Sequence, residues 1–288
     1  MRKCFATTLL LLIGCILLLA AGPLQASATT EQLFWEKASQ EIYKSPGELK
    51  AQHEREIRKG EIYIKLMQGD PHIKAVALTF DDGPHPKFTS KILEILRKYH
   101  VNATFFVVGK MAKKYPKLVE QEFIQGNLIG NHTYDHYNLT KIPDPEVDVQ
   151  WQKGNEIIRS ITGIEPMYCR PPGGDYDRGV IKSAMMHGLT TVLWTDDPGD
   201  YANPGDKTIE NRVLDRIADG SIILIHDGIQ QTIDVLPQII ETLQKKGFKF
   251  ETVAEMAAAG HPEALRMRYP ITSMRPAASL PPNTLKMK

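Results

Sequence analysis

Short apolar runs alternate with longer amphipathic stretches over the central part of the chain, from about residue 72 to residue 258. The apolar runs are bounded by turn residues, which predicts buried strands, and the longer stretches have the apolar spacing of helices. The predicted strands are Ala75–Phe80, Ala103–Val108, Leu128–Asn131, Met167–Arg170, Thr191–Trp194, Ile222–Ile225 and Lys249–Thr252. The predicted helices are Lys87–Tyr99, Tyr115–Gln125, Asp144–Thr162, Tyr176–His187, Thr208–Ala218 and Ile233–Lys246.

Seven strands joined by helical crossovers predict an α/β fold whose parallel sheet is covered on both faces. The number and total length of the strands favour a (β/α) barrel over an open sheet. In α/β barrels the active site lies at the carboxyl ends of the strands. Polar residues at those ends are therefore the first candidates for chemistry.

The flanks of this region have a different pattern. A positive start, an apolar run and the small-residue pattern Ala26-Ser27-Ala28 predict a signal peptide over residues 1–28 and an exported protein. A retained membrane anchor is one alternative, and a lipoprotein with Cys15 as the lipidated residue is another. Residues 29–71 predict a helical extension, with helices at Glu31–Ile42 and Leu49–Lys59, that packs on the domain or spaces it from the wall. Residues 259–288 are rich in proline and predict an irregular tail.

Composition narrows the choice of partners and of chemistry. The residues are 42% hydrophobic and 24% charged, as in globular proteins, and the net charge of +1 gives no reason to expect a nucleic-acid partner. Beyond the predicted signal peptide the one remaining cysteine is Cys169, so an intramolecular disulfide is excluded. No base is predicted beside Cys169, and strand alternation turns it away from Arg170, so we interpret its role as structural.

Ionisable residues follow five of the predicted strands, each at the carboxyl end, and a barrel would bring them to one mouth. They are Asp81 and Asp82, His132-Thr133-Tyr134-Asp135-His136, Arg170, the set Asp196, Asp197 and Asp200, and His226-Asp227.

Two histidines four residues apart would share one face of a helical turn and could bind one ion. With a carboxylate from another strand end, His132 and His136 form a set of three ligands with an open position, as in catalytic zinc sites. Asp81 and Asp82 leave their strand in different directions, so one could hold the ion and the other act as a base. Considered alone, the histidine pair could equally be solvated or buried in the core, and the two carboxylates could form an ordinary solvated turn.

Two further residues acquire roles beside such an ion. His226 becomes a candidate general acid, although alone it would be read as a hydrogen-bonded core histidine. Arg170 precedes two prolines that stiffen the loop, which favours a fixed guanidinium bound to a carboxylate over an ordinary surface arginine.

At these residues the chain resembles the polysaccharide deacetylases, carbohydrate esterase family 4, which share the NodB homology domain. The resemblance covers about residues 73–256 and rests on five motifs in order. They are Thr79-Phe80-Asp81-Asp82-Gly83-Pro84, His132-Thr133-Tyr134-Asp135-His136, Arg170-Pro171-Pro172-Gly173-Gly174, Asp197-Pro198-Gly199-Asp200-Tyr201 and Leu224-Ile225-His226. The family fold is a distorted (β/α) barrel, which agrees with the strand count.

The resemblance implies a role for each matching residue. Asp81 would be the general base, and Asp82, His132 and His136 would hold one divalent ion, either zinc or cobalt. Arg170 would hold the base, the amide of Gly173 would stabilise the oxyanion, and His226 would be the general acid supported by Asp200. Gly173 and Tyr201 stand where the family often has Tyr and Trp, which predicts an altered acetyl pocket.

These observations predict an exported, metal-dependent enzyme that removes N-acetyl groups from N-acetylglucosamine-type residues of a polysaccharide. The domain itself is expected over residues 72–258. The expected partner is a polysaccharide such as peptidoglycan, chitin oligomers or an exopolysaccharide, with association to a cell wall or membrane surface; no protein partner is implied. The alternatives are an O-acetyl esterase on another glycan and a non-catalytic glycan-binding protein.

Overall fold

The structure is a computed structural model that describes residues 29–260, which surround one parallel β-sheet. The predicted signal peptide and the tail after residue 260 lie outside the described residues. The strands are β1 (Lys65–Leu66), β2 (Ala75–Asp81), β3 (Thr104–Val107), β4 (Leu128–Asn131), β5 (Tyr168–Cys169), β6 (Thr190–Val192), β7 (Ser221–His226) and β8 (Lys249–Phe250). The helices are α1 (Thr30–Ala38), α2 (Pro46–Arg58), α3 (Thr89–Tyr99), α4 (Gly109–Lys114), α5 (Pro116–Ile124), α6 (Asp144–Thr162), α7 (Arg178–Met186), α8 (Asp206–Arg216), α9 (Gln230–Lys245) and α10 (Val253–Gly260).

The strands are hydrogen-bonded in the order β1-β6-β5-β4-β3-β2-β7, with β8 also beside β2, and every pair is parallel. The chain beyond β6 then turns towards β7. The amide of Thr195 donates to the carbonyl of Ile222 at 3.0 Å, and the amide of Leu224 donates to the carbonyl of Asp196 at 2.9 Å. These bonds join the two sides of the curled sheet, and the predicted distorted (β/α) barrel is confirmed.

Side-chain alternation along the strands separates a structural face from a functional face. On β2, Val76, Leu78 and Phe80 point outwards into a core that includes the apolar faces of α3 and α9. The intervening Thr79 and Asp81 therefore lie on the opposite, interior side, where both contact Arg170. The polar end of β2 is thus built on a strand that is buried along its whole length.

All seven predicted strands are present, but their limits differ from the prediction. The predicted strand Met167–Arg170 is reduced to the two residues of β5, and β1 was missed because two residues show no periodicity. Helix α4 was also missed, since it is only 6 residues long. The predicted helix Glu31–Ile42 ends at Ala38, and the residues after it run to the carboxyl ends of the strands.

The N-terminal extension packs on the barrel. Tyr43 and Leu49 belong to the same buried cluster as the barrel residues Trp194 and Leu224. Among residues 29–260, none of the helices combines the length and the apolar character needed to cross a membrane.

Candidate active site

Asp81 and Arg170 form a buried ion pair inside the barrel mouth. Nη1 of Arg170 donates to Oδ1 of Asp81 at 2.7 Å and to Oγ1 of Thr79 at 2.8 Å, and the guanidinium also contacts the carbonyls of Val192 and Leu193. Both side chains of the pair are at most 1% exposed. The guanidinium is therefore fixed from several directions, and Oδ2 of Asp81 has no hydrogen-bond partner among residues 29–260. The structure thus contains the arrangement favoured by the sequence, in which the guanidinium of Arg170 binds a carboxylate, that of Asp81.

Three potential metal ligands converge next to this pair. Oδ1 of Asp82 lies 2.9 Å from Nε2 of His136 and 3.4 Å from Nε2 of His132, and the two Nε2 atoms are 3.2 Å apart. The three residues are buried and form the one group of potential metal ligands recognised within residues 29–260.

The converging atoms carry lone pairs. Nδ1 of His132 contacts the carbonyl of Arg170 at 2.8 Å, and because a carbonyl can only accept, Nδ1 carries a proton and the neutral ring has its lone pair on Nε2. Three lone-pair atoms facing one another repel unless a proton or a cation lies between them. Zinc ligands with bonds of about 2.0–2.1 Å in a tetrahedron lie about 3.3 Å apart, which matches the observed separations. The donor set therefore fits a zinc-sized divalent ion.

His132 and His136 do not share a helical turn, which corrects the interpretation of their spacing. Residues 132–136 form a loop in which Thr133 has φ 67° and His136 has φ 60°. The side chain of Asn131 accepts from the amide of Thr133 at 2.8 Å, and Oγ1 of Thr133 accepts from the amide of His136 at 3.0 Å. These bonds hold a left-handed backbone that L residues seldom adopt, and this loop brings the two rings together.

The two aspartates also depart from the expected alternation. Asp82 has φ 73°, so the strand geometry ends at Asp81. As a result both carboxylates approach the same nitrogen, because Oδ2 of Asp81 lies 3.7 Å from Nε2 of His132. Burial alone would raise the pKa of Asp82, but the neighbouring imidazoles of His136 and His132 hold the pKa well below its usual range. Asp82 is therefore anionic at neutral pH, as a metal ligand must be.

His226 and Asp200 form a second buried pair on the β7 side of the mouth. Nδ1 of His226 lies 2.7 Å from Oδ1 of Asp200, whose Oδ2 accepts from the amide of His226 at 2.8 Å and from Oγ1 of Thr232 at 2.6 Å. Burial would lower the pKa of His226, yet Asp200, helped by Asp82 and Asp81, raises this pKa to about 10. Nε2 of His226 is buried and has no hydrogen-bond partner in the described part of the chain. The ring can therefore carry a proton at neutral pH and present it at Nε2.

The surroundings of His226 include a residue that the sequence did not reveal. The ring of Tyr201 lies 5.4 Å from that of His226 between centroids. Tyr43 of the N-terminal extension packs 4.7 Å from His226 and 4.4 Å from Tyr201. Gly173 is buried at φ 65°, and a Cβ there would lie 2.9 Å from the carbonyl oxygen of Ile42. No motif in residues 29–71 signals these contacts.

Cys169 lies away from this chemistry. It is fully buried, its Sγ contacts Oγ1 of Thr191 at 3.8 Å, and burial raises the pKa of the thiol to about 12. A thiolate nucleophile is therefore excluded at neutral pH, in agreement with a structural role.

Comparison with known proteins supports the resemblance to the polysaccharide deacetylases. The polysaccharide deacetylase family model matches residues 68–192. A peptidoglycan-N-acetylglucosamine deacetylase of Bacillus cereus is 39% identical over 193 residues, which are 65% of this chain and 90% of that protein. A chitooligosaccharide deacetylase of Azorhizobium caulinodans is 35% identical over 192 residues, which are 62% of this chain and 91% of that protein.

Solved structures agree. The crystal structure of a peptidoglycan N-acetylglucosamine deacetylase in complex with 4-naphthalen-1-yl-N-oxidanyl-benzamide has a TM-score of 0.66 and 38% identity, and covers 70% of this chain and 94% of its own. A CE4 family pseudoenzyme from Bacillus anthracis has a TM-score of 0.65 and 29% identity, and covers 68% of this chain and 70% of its own. Because the chain is 39% identical to the Bacillus cereus deacetylase over 90% of that protein, it belongs to the polysaccharide deacetylase family.

Proposed function

We propose that the protein is an exported metal-dependent hydrolase that removes N-acetyl groups from N-acetylglucosamine-type residues of a polysaccharide. The observation that carries the proposal is the meeting, in one buried mouth, of three potential metal ligands, a carboxylate bound to an arginine and a histidine bound to an aspartate. Amide hydrolysis needs all three functions, because the carbonyl must be polarised, the attacking water deprotonated and the departing amine protonated. Binding a glycan without hydrolysis needs none of them.

Asp82, His132 and His136 would hold the ion, which we propose to be zinc, with cobalt as the alternative. A divalent ion there supplies Lewis-acid activation of the acetamide carbonyl and of the attacking water. The protein contributes the orientation of the ligands, since the carbonyl of Arg170 fixes the tautomer of His132.

Asp81 is the proposed general base. Its Oδ1 accepts from the guanidinium of Arg170, whereas Oδ2 accepts no hydrogen bond from the described part of the chain and lies 3.7 Å from Nε2 of His132. The free oxygen therefore lies next to the ligand set, where the attacking water must be deprotonated. Arg170 acts as a positioning residue, because it leaves the carboxylate a single free oxygen in a fixed place.

His226 is the proposed general acid. Asp200 holds Nδ1, so the transferable proton is the one on Nε2, and the pKa of about 10 keeps it in place at neutral pH. A bound divalent ion would offset the contribution of Asp82, which brings this pKa closer to the working range of an acid catalyst. The amide of Gly173 is the proposed oxyanion donor, and Tyr201 lines the acetyl pocket.

The relatives are named as deacetylases of peptidoglycan and of chitooligosaccharides, and we propose substrates of this class. Export, which the signal-peptide pattern of residues 1–28 predicts, would bring the enzyme to where such glycans occur. The pseudoenzyme relative shows that this fold alone does not guarantee catalysis, so the complete residue set matters more than the likeness of the fold.

The proposal is tested by incubating the zinc-loaded protein with peptidoglycan, chitooligosaccharides and acetylated xylan. We expect acetate release from the first two and the loss of one acetyl group per deacetylated sugar by mass spectrometry. His226→Gln is the matched control, because it keeps the size of the side chain but removes the acid. Acetate from xylan alone would point to an O-acetyl esterase, and no acetate from any substrate would point to a binding protein.

A further inference from the structure

The residues between α1 and α2 lie against the active site, and we call Gln40–Lys44 the mouth segment. The amide of Lys44 donates to the carbonyl of Gly173 at 3.0 Å, and Nζ of Lys44 pairs with Asp175 at 3.1 Å. The carbonyl of Ile42 occupies the space into which a side chain at Gly173 would project. The mouth segment is therefore held by backbone contacts, and it occupies the space that a side chain at Gly173 would fill.

Glu41 of this segment contacts His136, a proposed metal ligand, on the side of the ring that faces away from Asp82. Its Oε2 lies 3.2 Å from Nδ1 of His136, and the carboxyl side chain is only 15% exposed. Nε2 of His136 points towards Asp82 on the other side of the ring. A carboxylate at this distance from Nδ1 favours a proton on that nitrogen, and the neutral ring then has its lone pair on Nε2, where an ion can bind.

Nδ1 of each histidine faces an oxygen atom from a different part of the chain. Nδ1 of His132 forms a hydrogen bond with the backbone carbonyl of Arg170, in the barrel. Nδ1 of His136 forms a buried ion-pair contact with Glu41 of the N-terminal extension, outside the stretch matched by the family model. Without Glu41, the ring of His136 loses the carboxylate that favours its metal-binding tautomer.

We propose that Glu41 is a positioning residue for the metal, so that the mouth segment is a working part of the active site. This inference rests on the proposed metal site. Partners of this kind typically change metal affinity by about 10–100-fold when they are removed. The carboxylate also makes the imidazole a stronger donor, and this electrostatic contribution is lost when its charge is removed.

Three variants separate these contributions. Glu41→Ala removes both the acceptor and the charge, and we expect zinc to bind about 10–100-fold more weakly. Glu41→Gln keeps an acceptor oxygen but loses the charge, so its affinity should lie between those of Glu41→Ala and the wild type. Glu36→Gln makes the same change in net charge at an exposed position of the extension, and should bind zinc like the wild type.

The experiment titrates zinc into metal-stripped full-length protein against a chromophoric chelator, with thermal unfolding of the metal-free variants measured alongside. The expected result is the graded loss of affinity with little change in the unfolding temperature of the metal-free proteins. Wild-type affinity in both Glu41 variants, or an equal loss in Glu36→Gln, would overturn the inference. A wild-type protein that binds no zinc would instead overturn the proposed metal site. If Glu41→Ala does not fold, the comparison of Glu41→Gln with Glu36→Gln decides.

Discussion

Replacing Asp200 by Asn is expected to disable His226 as an acid while leaving the fold in place. Asp200 accepts from the backbone amide of His226 and from the hydroxyl of Thr232 through one oxygen, and faces Nδ1 of His226 with the other. A backbone amide can only donate, so the single oxygen of an asparagine must stay beside it. The NH₂ group of the asparagine then faces Nδ1 of His226. In the protonated ring Nδ1 is also a hydrogen-bond donor, so the two groups would repel each other. The variant therefore favours a neutral ring whose Nδ1 accepts the hydrogen bond.

The size of the effect follows from the charges around the ring. In the wild type burial would lower the pKa of His226, but Asp200, together with Asp82 and Asp81, raises it to about 10. An anion in direct contact is worth about 1–3 pKa units, so its removal should lower the pKa of His226 by about that amount. The acid must be protonated to act, so activity is lost as the pH rises through this pKa. The basic limb of the pH–rate profile should therefore move to lower pH by about 1–3 units, and the rate on amides should fall about 10²–10⁴-fold.

The assay is acetate release from a chitooligosaccharide between pH 5 and pH 11, with kcat/KM determined at each pH. Thr232→Val is the matched control, because it removes one hydrogen bond from Asp200 but keeps the anion, and its basic limb should move little. An activated acetate ester should be less affected by Asp200→Asn, since its leaving group departs without a proton. An unmoved basic limb, or equal losses on amide and ester, would refute the assignment of His226 as the acid.

Three further substitutions probe the surroundings of the site. Arg170→Met leaves Asp81 buried without its counter-ion and should lower the free energy of unfolding by about 3–5 kcal/mol in denaturant titration; a loss below about 1 kcal/mol would contradict this account. Gly173→Ala meets a positive φ and the carbonyl of Ile42, so it should displace the mouth segment and weaken both zinc binding and turnover, and wild-type values for both would count against that contact. Cys169→Ala should retain the rate of acetate release, because a buried thiol with a pKa of about 12 takes no part in the chemistry; a large loss of rate would contradict a structural role.

Much of the site could be predicted because parallel strands bring their carboxyl ends to one mouth. Polar residues at the carboxyl ends of β2, β5 and β7 are expected there for this reason, and the structure brings Asp81, Arg170 and His226 into it. The interior position of Asp81 follows from alternation along a strand with an apolar outer face. Repeated parallel strands with alternating side chains therefore predict which residues far apart in the chain lie close together in the fold.

The rest could not be predicted because it depends on irregular backbone and on long-range contacts. The left-handed conformations of Asp82, Thr133 and His136 have no sequence signal, since L residues adopt them only where the surroundings impose them. Glu41 contacts His136 from a part of the chain that contains no motif. The apolar spacing predicts a helix up to Ile42, whereas α1 ends at Ala38. The mouth segment is fixed by its contact with Gly173, which only the folded chain reveals.

The central claim is that one divalent ion at Asp82, His132 and His136 is required for the removal of acetyl groups. The most direct measurement follows acetate release from a chitooligosaccharide by the protein stripped of metal with a chelator and then titrated with zinc. The account predicts no activity in the metal-free protein and full recovery at about one equivalent of zinc, with His132→Ala recovering little because two protein ligands hold the ion poorly. Full activity of the metal-free protein, or recovery by His132→Ala equal to that of the wild type, would contradict it.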